Sequence, residues 1–278
     1  PWRWLAPRRL PGAAAAFGAD FAAALHAPPR LAIGCGRQGA LATRLARAAG
    51  ARAVQILDPR LDPRHWDLLI VPAHDRLRGA NVLTLLGSLN PVDEAWLAAG
   101  RTDFPALGAL PGPRIALLLG GPTAQRPWRP DQLGPLCAQL AAQARARGGS
   151  LLVSASRRTP AQTRPLLQQA LRELPSTRLW WDENDGRNPY RGLLGWADAI
   201  VATADSVNLL SEACATPVPV AAAFAEHARG RIGHFLEQLH ERGRLRTLDT
   251  LLDHGASITP LRETTRIAAL ARQRLGLP

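Results

Sequence analysis

Asp205, Asn208 and Glu212 lie at i, i+3 and i+7 just after a short apolar run, ADAIVAT, so on a helix they form one polar stripe. The intervening turn, Thr203-Ala204-Asp205-Ser206, lets either Asp205 or Ser206 cap that helix. A helix N-terminus just past the carboxyl end of a buried strand is where open α/β sheets bind ligands. Its N–H groups and dipole suit a diphosphate, and a carboxylate further along can accept from ribose hydroxyls. Two readings stay open from these residues: a nucleotide-reading stripe, or a capped helix whose Glu212 faces water.

Other stretches carry chemistry of the same kind. SLLVSASRRTP reads as a strand ending in Ser154, Ser156, Arg157, Arg158 and Thr159, and guanidinium groups match phosphate geometry. RIALLLGGPT is a strand running into Gly120, Gly121 and Thr123. HWDLLIVPAHD ends in His74 and Asp75, a pair placed either for general-base work or as a surface turn. Gly34, Gly36 and Gly39 satisfy the GxGxxG spacing, with Asp58 at the end of the next strand, the pattern of an NAD site. Arg37 inside that loop also allows a milder reading, an anion-receptive turn. DEND at 182–185 is not Asp-x-Asp and reads as a solvated loop, and His234, Glu237 and His240 miss the spacing of a helical zinc pair, so no metal site is expected.

The elements that must position these residues alternate strand and helix throughout, which predicts an α/β protein. An Ala-rich helix is expected to run to about His26, and GANVLTLLGSLN, with Asn81, continues the first lobe. FPALGALPGPR, dense in Pro and Gly, reads as the linker. The expected domains are therefore 1–108, 109–260 and a closing C-terminal helix at 261–278. Hydrophobic content of 46% over 278 residues sustains two cores and excludes disorder. The net charge is +12, every basic residue is Arg, and such a surface favours anionic partners. Trp2 and Trp4 interleaved with Arg3, Arg8 and Arg9 suit an acidic membrane surface or simple packing. Cys35, Cys137 and Cys214 lie far apart in apolar segments, which fits free thiols in a reducing compartment.

Together, IGCGRQG, QILDPR, VPAHD, GANVL, LLGGP, SRRTP and NPYRGLLGWADAIVATADSVNLLSEACATPVPV resemble the mitochondrial fission ELM family of plant proteins and bacterial relatives. The resemblance implies a GT-B-like architecture, two Rossmann-like lobes facing a cleft, with the N-terminal lobe incomplete here. Leu209 and Leu210 stand where the family often has Met, and Pro217-Val218-Pro219 replaces a usual glycine. It further implies a glycosyltransferase moving a sugar from a nucleoside diphosphate to an envelope glycan or lipid. Gly120, Gly121 and Thr123 would line the diphosphate; Ser154, Arg157 and Arg158 would face phosphate or base, and Tyr190 the base. Asp205, Ser206 and Glu212 would hold phosphate, sugar and ribose, while His74 or Asp75 would be the base and Arg37 and Asn81 would lie on the acceptor side. No cofactor beyond the nucleotide-sugar donor is expected, and no nucleic acid. The expected location is cytoplasmic, peripheral at the inner membrane. The alternatives are a non-catalytic interaction protein of the same fold and an NAD-dependent oxidoreductase using Gly34–Gly39.

Overall fold

The computed structural model describes residues 2–123, 128–172, 176–253 and 257–277. The chain divides into two units, Pro1–Leu86 with Glu263–Pro278, and Gly87–Arg262.

In the first unit, helices α1 (Trp2–Leu5) and α2 (Ala19–Ala24) precede β1 (Leu31–Cys35), α3 (Gly36–Ala48), β2 (Arg52–Ile56), β3 (Leu68–Pro72) and β4 (Val82–Leu85). The expected Ala-rich helix is broken, because Gly12 and Gly18 both take positive φ and a 3-10 turn fills Ala13–Phe17. The four strands are parallel in the order β1-β2-β3-β4. β3, LLIVP, is buried along its length, as an inner parallel strand must be. Edge strand β1 is mostly uncovered, and Ile33 is 61% exposed. Trp66, fully buried, anchors the core and donates from its indole to Thr43 Oγ1 on α3 at 2.8 Å.

The second unit contains α4 (Glu94–Asp103), α5 (Pro105–Gly108), β5 (Arg114–Leu119), α6 (Pro130–Ala146), β6 (Ser150–Ala155), α7 (Thr163–Leu171) and β7 (Thr177–Trp180). It continues through α8 (Tyr190–Trp196), β8 (Ala199–Thr203), α9 (Val207–Cys214), β9 (Val220–Ala223) and α10 (Gly230–Glu241). Its five parallel strands run β7-β6-β5-β8-β9, so the winding reverses between β5 and β8. That reversal is the topological switch point of a doubly wound sheet. β6 and β8 are buried throughout, and Ile115, Leu117, Leu133, Leu140, Val153 and Val201 form the core beneath α6 and α7.

The division between units falls after Leu86, not at 108/109. FPALGALPGPR is no linker: α5 and its flanks pack in a cluster of Phe104, Leu107, Leu152, Leu193 and Trp196. Helix α4 also belongs to the second unit, because Gly100 and Gly195 admit α8 at backbone distance. Arg191 stacks on Trp96 and donates to its carbonyl at 2.7 Å. The expected C-terminal helix exists as α11 (Glu263–Leu275) and belongs to the first unit. Buried Glu263 accepts from Leu86 N at 2.7 Å, and Arg274 donates to Ala80 O at 2.7 Å.

Candidate functional site

A cavity of about 960 Å³ opens in the second unit at the carboxyl ends of β5, β6 and β7. Ser154, Ser156, Arg157 and Thr159 line it from the β6 end. Trp180, Trp181 and the DEND turn form another wall, and Tyr190 and Leu209 bound it from α8 and α9. Three residues expected from sequence, Ser154, Arg157 and Tyr190, thus meet on one cavity. An aromatic wall beside hydroxyls, amides and a guanidinium suits a ligand with a flat ring and a charged tail.

The DEND turn is better ordered than a solvated loop. Asp182 and Asp185 cap one another's backbone, and Arg164 clamps both carboxylates at 3.6 and 2.8 Å. Asp182, Glu183 and Asn184 thereby hold fixed positions in the cavity wall. Sequence reading missed these residues, together with Trp180, Trp181 and Asn188; their place directly after a β-strand is the signal that could have found them.

At the switch point the turns after β5, β6 and β8 are tied into a knot. Gly120 N donates to Thr203 Oγ1 at 2.8 Å, and Gly121 N to Asp205 Oδ2 at 2.9 Å. Trp128 Nε1 donates to Asp205 Oδ1 at 2.9 Å, Arg158 lies 3.7 Å from the same carboxylate, and Thr159 Oγ1 donates to Gly120 O at 2.7 Å. A Cβ on Gly120 would collide with the Asp205 carboxylate, and one on Gly121 with the Arg158 backbone. Glycine is required there for close packing. These contacts revise three expectations: the Gly120 and Gly121 amides are engaged within the chain, and the buried Asp205 side chain braces the turns. Asp205 also stands before α9 rather than on it. Ser206 is the N-cap, accepting from Leu209 N at 3.4 Å, so its hydroxyl is engaged too. Thr123 is exposed.

Glu212 and Tyr190 come together: the Tyr190 hydroxyl donates to Glu212 Oε2. The carboxylate therefore holds the ring that walls the cavity instead of facing water. Burial pushes the Glu212 carboxyl above its ordinary value while the Tyr190 hydrogen bond pulls it down. Burial, then the Glu212 charge, drives the Tyr190 hydroxyl well above its own. Helix α9 is set in place by buried Arg244, which donates to Cys214 O at 2.9 Å and Thr216 O at 3.2 Å at its carboxyl end.

In the first unit Arg37, Asn81, Asp58 and Gly34 serve structural roles. Arg37 donates to Trp4 O and Ala6 O, both at 2.9 Å, clamping the N-terminal segment. Asn81 Nδ2 donates to Pro63 O and Trp66 O at 2.9 Å, fixing the loop before β3. Asp58 accepts from Arg60 N at 2.8 Å in a local turn. Gly34 allows α3 to approach β1, since a Cβ there would meet the Gly39 carbonyl. His74 and Asp75 follow β3, with Asp75 buried and Arg78 bracing their turn through Ala73 O at 2.8 Å and Asp75 O at 2.6 Å. Among the described residues no cluster of three or more His, Cys, Asp or Glu could hold a metal. Nor, among them, is any helix long and apolar enough to cross a membrane.

Two Rossmann-like α/β units built on parallel sheets define a fold that solved structures share. A Listeria monocytogenes protein assigned as a UDP-N-acetylglucosamine 2-epimerase superposes with a TM-score of 0.51 at 10% identity, covering 92% of this chain and 77% of its own. The UDP-GlcNAc 2-epimerase of Neisseria meningitidis gives 0.50 at 13% identity, covering 88% and 75%. The chain belongs to the mitochondrial fission ELM1 family, whose profile matches residues 1–275. It is 30% identical over 277 residues to the mitochondrial fission protein ELM1 of Arabidopsis thaliana, covering 89% of this chain and 64% of that protein's length.

Proposed function

We propose that the second unit binds a nucleoside-diphosphate sugar in the cavity at the ends of β5, β6 and β7, and that the protein transfers the sugar to an envelope glycan or lipid. One observation carries this reading: Ser154 and Arg157, at the end of β6, and Tyr190, on α8, line a single cavity beside an aromatic wall. The Neisseria structure of the same fold is bound to UDP-GlcNAc, which supports a donor of that class. Trp180, Trp181 and Tyr190 offer faces for a base, and Arg157 offers the charge for a diphosphate. In the transfer the acceptor oxygen bonds to the anomeric carbon as the bond from that carbon to the diphosphate oxygen breaks. The diphosphate leaves with the electron pair, stabilised by Arg157, and the acceptor proton passes to His74 or Asp75.

A second reading, a non-catalytic interaction protein, is favoured by the engagement of the Gly120 and Gly121 amides, which removes a backbone cradle for phosphate. Oxidoreductase chemistry at Gly34–Gly39 fits poorly, because β1 is an edge strand and Arg37 and Asp58 are engaged. Thermal unfolding with UDP, GDP and NAD separates the three. A nucleoside diphosphate at ~100 times its Kd should stabilise the chain by about 2.7 kcal/mol. No response to any nucleoside diphosphate would leave the interaction protein, and a response to NAD alone the oxidoreductase. His74→Ala with Asp75→Ala should abolish transfer at unchanged nucleotide affinity; an equal loss of both would make the pair structural.

A further inference from the structure

A second cavity, about 440 Å³, lies in the first unit and is lined by Arg9, Arg44, Arg47, Ala48 and His65. Three guanidinium groups and an imidazole converge there. Arg47 is neutralised by Asp67, at 3.1 Å. Arg44 lies over the Trp66 ring, 5.9 Å from its centroid, and donates to Pro7 O at 2.6 Å. Among the described residues no carboxylate pairs with Arg9 or Arg44. The field is felt locally: burial, then Arg9, lowers the Arg44 pKa, and burial, then Arg44, lowers that of His65. Like charges held in a concavity are stabilised by an anion, and guanidinium forks match phosphate oxygens.

Among the described residues, the segment that delivers Arg9 also carries the most exposed large apolar side chain. Trp4 is 83% exposed, and Leu5 and Leu10 are exposed as well. Arg37 and Arg44 pin this segment through Trp4 O, Ala6 O and Pro7 O, so its apolar side chains are presented from a braced backbone. A basic concavity beside exposed Trp and Leu suits the boundary between lipid headgroups and acyl chains. We propose that this cavity takes the phosphate of an anionic lipid, with Trp4, Leu5 and Leu10 entering the adjacent bilayer surface. This site is separate from the nucleotide cavity and does not depend on it.

Cosedimentation of the full chain with phosphatidylcholine vesicles, with and without phosphatidic acid, tests the assignment. Phosphatidic acid should be required for binding, and Arg9→Gln with Arg44→Gln should weaken it roughly thirty-fold. Because Arg44 packs on Trp66, Arg9→Gln alone is the second variant; it should lose about five-fold with unchanged thermal unfolding. Trp4→Ser should also weaken vesicle binding. The control, Arg242→Gln with Arg272→Gln, removes two exposed arginines elsewhere and should lose only about three-fold or less. Equal losses in both pairs would reduce the effect to net charge and overturn the site. Binding to phosphatidylcholine alone would overturn it, as would loss through Arg9 and Arg44 with no loss in Trp4→Ser. The last outcome, with inorganic phosphate stabilising the wild type through the same arginines, would mark a soluble-phosphate site instead. UDP-induced stabilisation should be the same in all these variants, which keeps the result distinct from the nucleotide reading.

Discussion

Both units contain a parallel strand that runs into a glycine-bearing turn, β1 into Gly34–Gly39 and β5 into Gly120–Gly121, but among the described residues it is the end of β5, at Leu118 and Leu119, that lines the large cavity. In the first sheet β1 is the edge and the strand order never reverses. In the second, β5 is central and lies beside the reversal. The cavity lies to the β5, β6 and β7 side of that reversal, while the turns after β5 and β8 are tied together across it. At β1 the glycines serve packing of α3 on the strand, and the polar side chains nearby tie loops together. The lesson is that a glycine spacing has no ligand meaning until its strand's place in the sheet is known.

The largest effect should come from the knot at the switch point. Asp205→Ala leaves the buried Gly121 N–H and Trp128 indole N–H without their shared acceptor and should cost about 2–4 kcal/mol in urea unfolding, from about 1–3 kcal/mol for each unsatisfied buried donor. Asp58→Ala, in the exposed turn of the first unit, should cost about 1 kcal/mol or less. Similar costs for the two would erase the contrast between the units.

Ligand binding sharpens the comparison next. Arg157→Ala should weaken UDP binding by about 1.5–3 kcal/mol in calorimetry, and Arg37→Ala should leave it unchanged. If Arg37→Ala weakens UDP as much, the glycine turn of the first unit takes part after all. Glu212→Gln, by loosening Tyr190, should cost ribonucleotide binding about 1–3 kcal/mol. The 2′,3′-dideoxy nucleotide discriminates between direct contact and positioning: equal losses for both nucleotides mean that Glu212 acts through the Tyr190 ring.

The smallest effect is a pH dependence. The Glu212 carboxyl is raised above 4.5 in the folded chain, so the folded state holds this proton more tightly than the unfolded state. Its contribution is most favourable below 4.5 and falls as pH rises through the raised value, by about 1.4 kcal/mol for each tenfold difference in proton affinity between the two states. Stability measured upward from pH 4.5 should therefore decline less in Glu212→Gln than in wild type. A parallel decline would show that Glu212 is not the group responsible.

Sequence by itself determined the local structure well. Strands β8, β9 and β6 form within ADAIVAT, PVPVAAA and SLLVSA because short β-branched and aliphatic runs suit buried parallel strands, and Ser206, one of the two caps the turn offered, caps α9 because its hydroxyl reaches an N–H three residues on. Ser154 and Arg157 were legible at the end of a strand and Tyr190 through the family resemblance, whereas their meeting on one cavity is a tertiary fact. Tertiary structure alone decided what each polar group does. Gly120 and Thr203 are 83 residues apart, Gly121 and Asp205 84, and Trp128 and Asp205 77. No local spacing encodes those pairings, which exist because β5 and β8 lie side by side. The same holds for Arg37 on the Ala6 carbonyl, for Glu212 under Tyr190, and for α11 returning to the first unit. Periodicity and caps are properties of neighbouring residues. The partner of a buried donor is set by strand order, which a single sequence carries only through the folded whole.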